Sequence, residues 1–203
     1  MFNFIKILLL SILSSFFILN NSIAVAQSEF SQQDLERMSI FISKILEVQA
    51  IHSYRVNDME LSDILYFAVE HNLYNNYNTR IKSCNRKFDQ GKCKEIEVSY
   101  LYETIKKYFD INVVFNSDLY IMDGMKYYFT GHSYQFPDFG NEIGVRGVVK
   151  TASRLSGNRI LLKGDAIYIP KNSINAAFEA VIRPHRWNGQ DTYALISIKW
   201  IRY

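Results

Sequence analysis

Residues 176–200 read AAFEAVIRPHRWNGQDTYALISIKW, and hydrophobic residues recur at every second position near both ends of this segment. A period of two places the side chains of such a row on one face of a β-strand. The segment therefore predicts two antiparallel strands that share one buried face. The residues expected on that face are Ala176, Phe178, Ala180 and Ile182 in the first strand and Ala194, Ile196, Ile198 and Trp200 in the second.

The turn between these strands contains Asn188 and Gly189, a pair that favours a two-residue loop. A loop of that length would pair even-numbered with odd-numbered residues and turn the two apolar rows to opposite faces. Such a one-residue slip is costly where one face is buried. We therefore predict a three-residue loop, Trp187 to Gly189, which pairs even with even and gives Gly189 the left-handed conformation that glycine tolerates.

A second hairpin precedes this one, in residues 145–168. Its apolar rows fall on odd positions in one strand and on even positions in the next, so a two-residue loop is required. Gly157-Asn158 suits a type II′ turn of that length. The resulting register sets Lys150 opposite Asp165, a favourable cross-strand pair. The last third of the chain is thus predicted to form four antiparallel strands.

The first 26 residues have the pattern of a secretory signal peptide. Lys6 is their only charge, an apolar core interrupted only by serines follows at residues 7–19, and residues 24–26 form a small-x-small cleavage site. An uncleaved membrane anchor is the alternative, but the core is shorter than the roughly 20 residues that span a bilayer. We therefore expect residues 27–203 to be released as one domain without a membrane span, in the periplasm or outside the cell.

The charge of this mature chain argues against binding to nucleic acid. The whole sequence has 23 basic and 20 acidic residues, a net charge of +3, and the signal holds one of the basic residues. The mature net charge is then +2 (22 − 20), without a run of basic residues. Domains that bind nucleic acid usually concentrate positive charge on one surface.

Three helices are predicted between the signal and the sheet. Ser31 caps the first, with Asp34 at its third position, and Asn57 caps the second, with Glu60 three residues on. The third spans about residues 95–109. Each helix carries an apolar stripe that faces the core. The stripes are Leu35, Met38, Ile42, Ile45 and Leu46; Leu61, Ile64, Leu65, Ala68 and Leu73; and Val98, Leu101, Tyr102, Ile105 and Phe109.

Helices that precede a mostly antiparallel sheet define an α+β fold in two layers. This order of elements resembles the NTF2-like and cystatin-like arrangements, in which helices pack on a curved sheet. The resemblance concerns element order alone and implies nothing about function. Short strands are also expected in residues 111–115 and 119–129, the latter folded at Asp123-Gly124.

Cys84 and Cys93 are the only cysteines. In an exported chain an even number of cysteines predicts a disulfide, which here closes the loop 85–92. A metal pair or a redox pair is the alternative, but the spacing is wider than CxxC and the loop holds no histidine. We predict a structural bridge.

Residues 131–144 have the least regular composition, with three glycines and a proline. We interpret them as a long loop. Such a loop is often functional, and the alternative is a compact surface loop packed by its own aromatic residues. Those aromatic residues are Tyr134, Phe136 and Phe139.

Arg183, His185 and Trp187 share the polar face of the strand that leads into the last turn. A guanidinium, an imidazole and an indole are suited to an anionic or hydroxyl-rich ligand. The alternative is an exposed strand end, with Trp187 covering the core and the arginine solvated. We predict a binding surface that joins these residues to the loop. Its members are Tyr134, Phe136, Phe139, Arg183, His185 and Trp187.

No motif in the sequence carries a reaction, a metal or a cofactor. The histidines His52, His71, His132 and His185 lack zinc-binding spacing, and there is no P-loop, GxGxxG or GxSxG. His71 is expected near a helix C-terminus, where positive charge is favourable. We expect a non-catalytic domain that binds a small ligand, a glycan or a protein partner. The alternative is a small envelope hydrolase that uses Asp138 and Glu142 or His132.

Overall fold

The computed structural model describes residues 29–48, 53–121, 124–138 and 144–201. In these ranges the chain forms four α-helices and ten β-strands, and the strands assemble into two antiparallel sheets of five. The predicted α+β class is confirmed. The prediction of a single sheet is wrong, because the middle of the chain forms a second sheet. The NTF2-like or cystatin-like arrangement is not confirmed. The predicted signal peptide, residues 1–26, lies outside the described residues.

The helices and strands are numbered in chain order. The helices are α1 Gln32–Leu46, α2 Leu61–Asn75, α3 Tyr77–Arg80 and α4 Val98–Phe109, with 3-10 turns at Val56–Asp58 and Ile169–Lys171. The first sheet contains, in spatial order, β1 Tyr54–Arg55, β10 Gln190–Ile201, β9 Ser173–Trp187, β8 Arg159–Tyr168 and β7 Val145–Leu155. The second sheet contains β2 Ile81–Ser83, β3 Lys92–Glu97, β6 Ser133–Asp138, β5 Lys126–Phe129 and β4 Leu119–Tyr120.

Beyond a bulge at Ile196, the hairpin of β9 and β10 pairs even with even residues, as predicted, but by a different route. Its loop has two residues, Asn188 and Gly189, both with positive φ (47° and 80°), so that Trp187 pairs with Gln190. A β-bulge at Ile196 then adds one residue to β10 and shifts the register. The predicted three-residue loop is therefore wrong, because the bulge, and not the loop, places Ile198 and Trp200 opposite Ala180 and Phe178.

Of the eight residues predicted on the buried face of this hairpin, six are buried. Ile196 and Trp200 are only half-buried. Leu195, directly before the bulge, is 1% exposed and pairs with Ile182 in the place expected of an even-numbered residue. The six buried residues are Ala176, Phe178, Ala180, Ile182, Ala194 and Ile198.

In the hairpin of β7 and β8 a bulge again offsets a loop of unpredicted length, but here the loop is longer than predicted. Its loop has three residues, 156–158, instead of the predicted two. A bulge at Lys150 then restores the predicted pairing of odd with even residues further along the hairpin. Lys150 does not lie opposite Asp165, yet its Nζ atom is 2.5 Å from Oδ2 of Asp165, so the predicted ion pair forms.

Helix α1 lies along β7, the edge strand of the first sheet. The hydroxyl of Ser43 accepts a hydrogen bond from the Gly147 N–H (3.0 Å), and that of Ser39 accepts one from the Val149 N–H (2.9 Å). An edge strand otherwise leaves such N–H groups without a partner. The close contact requires Gly147, because a Cβ atom there would lie 2.6 Å from Cγ2 of Ile42.

The predicted start of α1 is confirmed, whereas those of α2 and α4 are wrong. Ser31 and Asp34 form the capping box of α1. Asn57 lies in a 3-10 turn and does not cap α2, which begins after Glu60. Helix α4 starts later than predicted, because residues 92–97 pair as strand β3 instead of forming its first turn.

The segment interpreted as an irregular loop instead contains β6, the central strand of the second sheet. Strand β6 pairs with β3 along its whole length, whereas β5 pairs only with Tyr134 and Gln135. Pro137 therefore lies where β6 has one strand neighbour in the described pairing, a position that proline tolerates. Residues 139–143 lie outside the described residues.

Two other expectations concern the second sheet. The disulfide between Cys84 and Cys93 is confirmed, with their Cα atoms 5.1 Å apart, and it ties the end of β2 to β3. The hairpin of β4 and β5 around Gly124 is also confirmed. Residues 111–115, expected as a strand, have no regular structure.

Helix α2 is buried on nearly every side and carries three consecutive buried polar residues, Glu70, His71 and Asn72. Successive residues of a helix point about 100° apart, so these side chains reach different neighbours. The partners are Tyr127 of β5 for Glu70, Glu47 at the end of α1 for His71 and Thr104 of α4 for Asn72.

Glu47 and His71 form a buried pair in which Nδ1 of His71 lies 3.4 Å from Oε1 of Glu47. Burial opposes charge on Glu47, but hydrogen bonds from His71 and Asn75 and the charge of Lys44 outweigh it, so the pKa of Glu47 is lowered. Burial lowers the pKa of His71 despite this neighbour. The imidazole is therefore neutral at neutral pH, and the expected favourable positive charge on His71 is wrong.

We expect Ser43→Ala to destabilise the protein. It leaves the buried N–H of Gly147 without its acceptor, which costs about 1–3 kcal/mol, while the gain in helix propensity is only roughly 0.5 kcal/mol. Urea unfolding should show a lower free energy of unfolding. Ser153→Ala, on the exposed part of β7, is the matched control. Equal losses in the two variants would contradict this role for the helix–edge contact.

We expect stability to fall between pH 7 and pH 5 because of His71. Its pKa in the folded protein is below the ordinary 6.5, so the unfolded chain takes up the proton first as the pH falls. The stabilisation is complete above about pH 6.5 and is lost progressively below it. The melting temperature of His71→Gln should decline less over this range than that of wild type. His132→Gln, at an exposed histidine, is the control. If the melting temperature of His71→Gln falls as steeply with pH as that of wild type, the prediction is wrong.

Candidate functional site

The end of the β9–β10 hairpin projects beyond the rest of the first sheet. Strand β8 pairs with β9 only as far as Ile182, so residues 183–187 pair with β10 alone. We call residues 183–194 the arm. Its odd-numbered face in β9 carries Arg183, His185 and Trp187, as predicted, and this face meets the C-terminal end of α4.

Asp110 holds the arm against α4. It follows the last residue of the helix in a left-handed conformation (φ 52°). Its carboxylate lies 2.7 Å from Nζ of Lys106, 2.5 Å from Nη2 of Arg183 and 3.6 Å from Nδ1 of His185. Burial opposes its ionisation, but the hydrogen bonds from Lys106 and Arg183 outweigh burial and lower the pKa of Asp110. The carboxylate is thus a negative charge shared by two cations.

A cleft of about 470 Å³ lies between α4, residues 111–113 and the arm. We call it the arm cleft. Trp187 at the end of β9 forms one part of its wall, and Tyr102 of α4 forms another. The Tyr102 ring is fixed, because it stacks on Phe115 (5.5 Å, 10°) and its hydroxyl accepts the Phe115 N–H at 3.0 Å. The cleft therefore has rigid aromatic surface on the helix side.

The charged residues of the arm cleft are already paired. Glu103 lies 2.9 Å from Nη2 of Arg80, and Lys106 is bound to Asp110. Asn112 adds an exposed side-chain amide to the lining. The lining thus combines aromatic and aliphatic surface with one negative side chain, Glu103, and one positive side chain, Lys106.

The structure separates the six residues predicted to bind a ligand. Arg183, His185 and Trp187 lie together on the arm, and among them Trp187 lines the cleft. Tyr134 and Phe136 are 0% exposed and belong to the core beneath the second sheet, so a ligand cannot reach them without opening that core. Phe139 lies outside the described residues.

Sequence reasoning missed three residues of this region. Tyr102 was assigned to the buried stripe of its helix, but it is 36% exposed. Asp110 and Asn112 were not singled out. Their signal was a short polar break directly after an amphipathic helix, which does not identify the distant strand that approaches it.

Among the groups proposed for hydrolysis, the structure describes His132 and Asp138. His132 is exposed in a turn. The hydroxyl of Ser133 donates directly to Oε1 of Glu95, so no histidine lies between this serine and the acid. Glu142 lies outside the described residues, and Asp138 is half-buried in β6.

In residues 29–48, 53–121, 124–138 and 144–201, no helix combines the length and the apolar character needed to cross a bilayer. No group of three or more histidine, cysteine, aspartate or glutamate side chains there is placed to hold a metal ion.

The fold and the cleft define a mixed α+β protein with a cleft beneath a projecting β-hairpin. A scan against protein-family models, a search of curated proteins and a search of solved structures each found no match to this chain.

We expect Asp110→Asn to loosen the arm. The change keeps a side chain that tolerates the left-handed backbone but removes the charge that Arg183 and Lys106 share. Because these groups are partly exposed, the free energy of unfolding should fall by only about 1 kcal/mol. Hydrogen exchange should become faster in residues 183–194. Glu179→Gln breaks an ion pair with Lys163 elsewhere on the sheet and is the control; unchanged arm exchange in Asp110→Asn would refute the anchoring role.

Proposed function

We propose that the protein is an exported, non-catalytic domain that binds a small ligand in the arm cleft. The observation that carries this proposal is Trp187, a half-buried indole at the end of a projecting hairpin, which forms a wall of a cleft of about 470 Å³. Ligand sites of small molecules are typically concave, about 300–1,000 Å³ in volume, and apolar with a few polar groups.

Two features support export. The first 26 residues have the composition of a cleavable signal. The disulfide between Cys84 and Cys93 suits an oxidising compartment, because cytosolic thiols are kept reduced. We propose that residues 27–203 work in the periplasm or outside the cell.

The chemistry of the cleft supports binding over catalysis. A general base needs an acceptor that is available to a substrate proton. Asp110 and Glu103 are instead bound to cations, and Asp110 has a lowered pKa that makes it a weak base. The groups around the cleft therefore hold each other in place.

The test is a fragment screen by nuclear magnetic resonance on residues 27–203. With a library of small aromatic and polar fragments, we expect shifts concentrated at the Trp187 indole N–H and at the backbone amides of residues 102–113. Trp187→Ala should remove these shifts, because it deletes one wall of the cleft. Tyr120→Ala, at an exposed tyrosine of β4, is the matched control and should keep them.

Two outcomes would contradict the proposal. Fragments that bind only at other surfaces would show that the arm cleft is not the ligand site. Absence of any saturable binding at the cleft would mean that Trp187 only packs against the end of α4 and binds no ligand.

A further inference from the structure

We infer that the ligand of the arm cleft is an uncharged, hydroxyl-rich ring compound, that is, a neutral saccharide. This inference rests on the proposed binding function and adds the chemical class of the ligand. Three properties of the cleft carry it: fixed aromatic surface, polar groups of mixed donor and acceptor character, and a lining with one side chain of each charge.

The aromatic surface suits the faces of a saturated ring. Phe115 backs the Tyr102 ring, and Tyr102 is 36% exposed and lines the cleft. Trp187 supplies a second aromatic surface from the arm. Aromatic faces carry partial negative charge, and the C–H groups on one side of a sugar ring carry partial positive charge. Such stacking requires no charge on the ligand.

The polar groups suit hydroxyls, which both donate and accept hydrogen bonds. Glu103 offers carboxylate oxygen, Lys106 offers N–H groups, and the exposed amide of Asn112 offers both. A hydroxyl can bond any of them. The lining therefore contains partners for several hydroxyl groups on one ring.

The charge balance argues against an ionic ligand. The lining holds one ammonium group, Lys106, which is bound to Asp110 at 2.7 Å, and one carboxylate, Glu103, which is bound to Arg80 at 2.9 Å. An anion would have to compete with Asp110 for Lys106 and would lie close to Glu103. A cation would have to displace Arg80 while lying close to Lys106. A neutral ligand leaves both ion pairs intact.

The test uses three neutral disaccharides, cellobiose, maltose and N,N′-diacetylchitobiose, with glucuronic acid and glucosamine as charged probes. Saturation-transfer resonance should show contact between protein and the ring C–H groups of at least one neutral sugar. Fluorescence of Trp187, read in the Trp200→Phe background, should change with the same dissociation constant.

Variants separate the parts of the argument. Trp187→Ala should weaken binding by about tenfold or more, the scale of a central aromatic contact, and Trp187→Phe should keep part of the affinity. Asn112→Ala, at an exposed residue, should weaken it less. Because the ligand is uncharged, the dissociation constant should stay unchanged between about 50 mM and 500 mM salt.

The outcomes distinguish this inference from the proposed function. If fragments bind at the cleft but only the charged probes, or none of the sugars, bind there, the binding function stands and the saccharide class is wrong. If neither fragments nor sugars bind at the cleft, both fail. Sugar binding that persists unchanged in Trp187→Ala would place the saccharide at another surface and overturn the inference.

Discussion

Three buried polar side chains on one turn of helix α2 determine how the parts of this protein fit together. A helix with apolar residues on every side can rotate about its axis with little loss, because one apolar contact replaces another. Glu70, His71 and Asn72 remove that freedom, since a buried polar group without a partner costs about 1–3 kcal/mol. Only one rotation of α2 brings each of them to its neighbour. The orientation of α2 relative to α1, α4 and the second sheet follows from this constraint.

These contacts also connect the two sheets. Glu47, the partner of His71, lies at the end of the helix whose serines cover the edge of β7 in the first sheet. Tyr127, the partner of Glu70, belongs to β5 in the second sheet. Burial and the nearby negative charge of Glu70 raise the pKa of Tyr127 well above its usual value, so its hydroxyl stays protonated.

The sequence predicted faces better than it predicted loops, and the reason is geometric. Alternation with a period of two shows which residues share a face. The relative register of two strands, however, depends on the loop length and the bulges together. At residues 188–189 the loop is one residue shorter than predicted and Ile196 bulges; at residues 156–158 it is one residue longer and Lys150 bulges. Both combinations satisfy the same parity rule. Pattern alone therefore predicted the parity of the pairing and not the turn.

The candidate site was predictable only on the side where a strand supplies the pattern. Alternation placed Arg183, His185 and Trp187 on one face of β9. It could not show that this face meets Asp110, because a contact between residues 73 positions apart leaves no local signal. The same limit explains Tyr134 and Phe136: a segment rich in glycine and aromatic residues suggested a loop, whereas long-range pairing with β3 makes it a central strand.

The buried polar residues of α2 also reach the wall of the arm cleft. Asn72 Oδ1 accepts a hydrogen bond from Nη1 of Arg80 at 3.2 Å, and the same guanidinium holds Glu103 through Nη2 at 2.9 Å. Asn72 also donates to Thr104, one residue further along α4. Arg80 thus links Glu103, the cleft carboxylate, to the buried Asn72. A site whose polar groups are held in this way loses little side-chain entropy when it binds a ligand. This lowers the free-energy cost of binding, so that even a weakly interacting neutral ligand can bind.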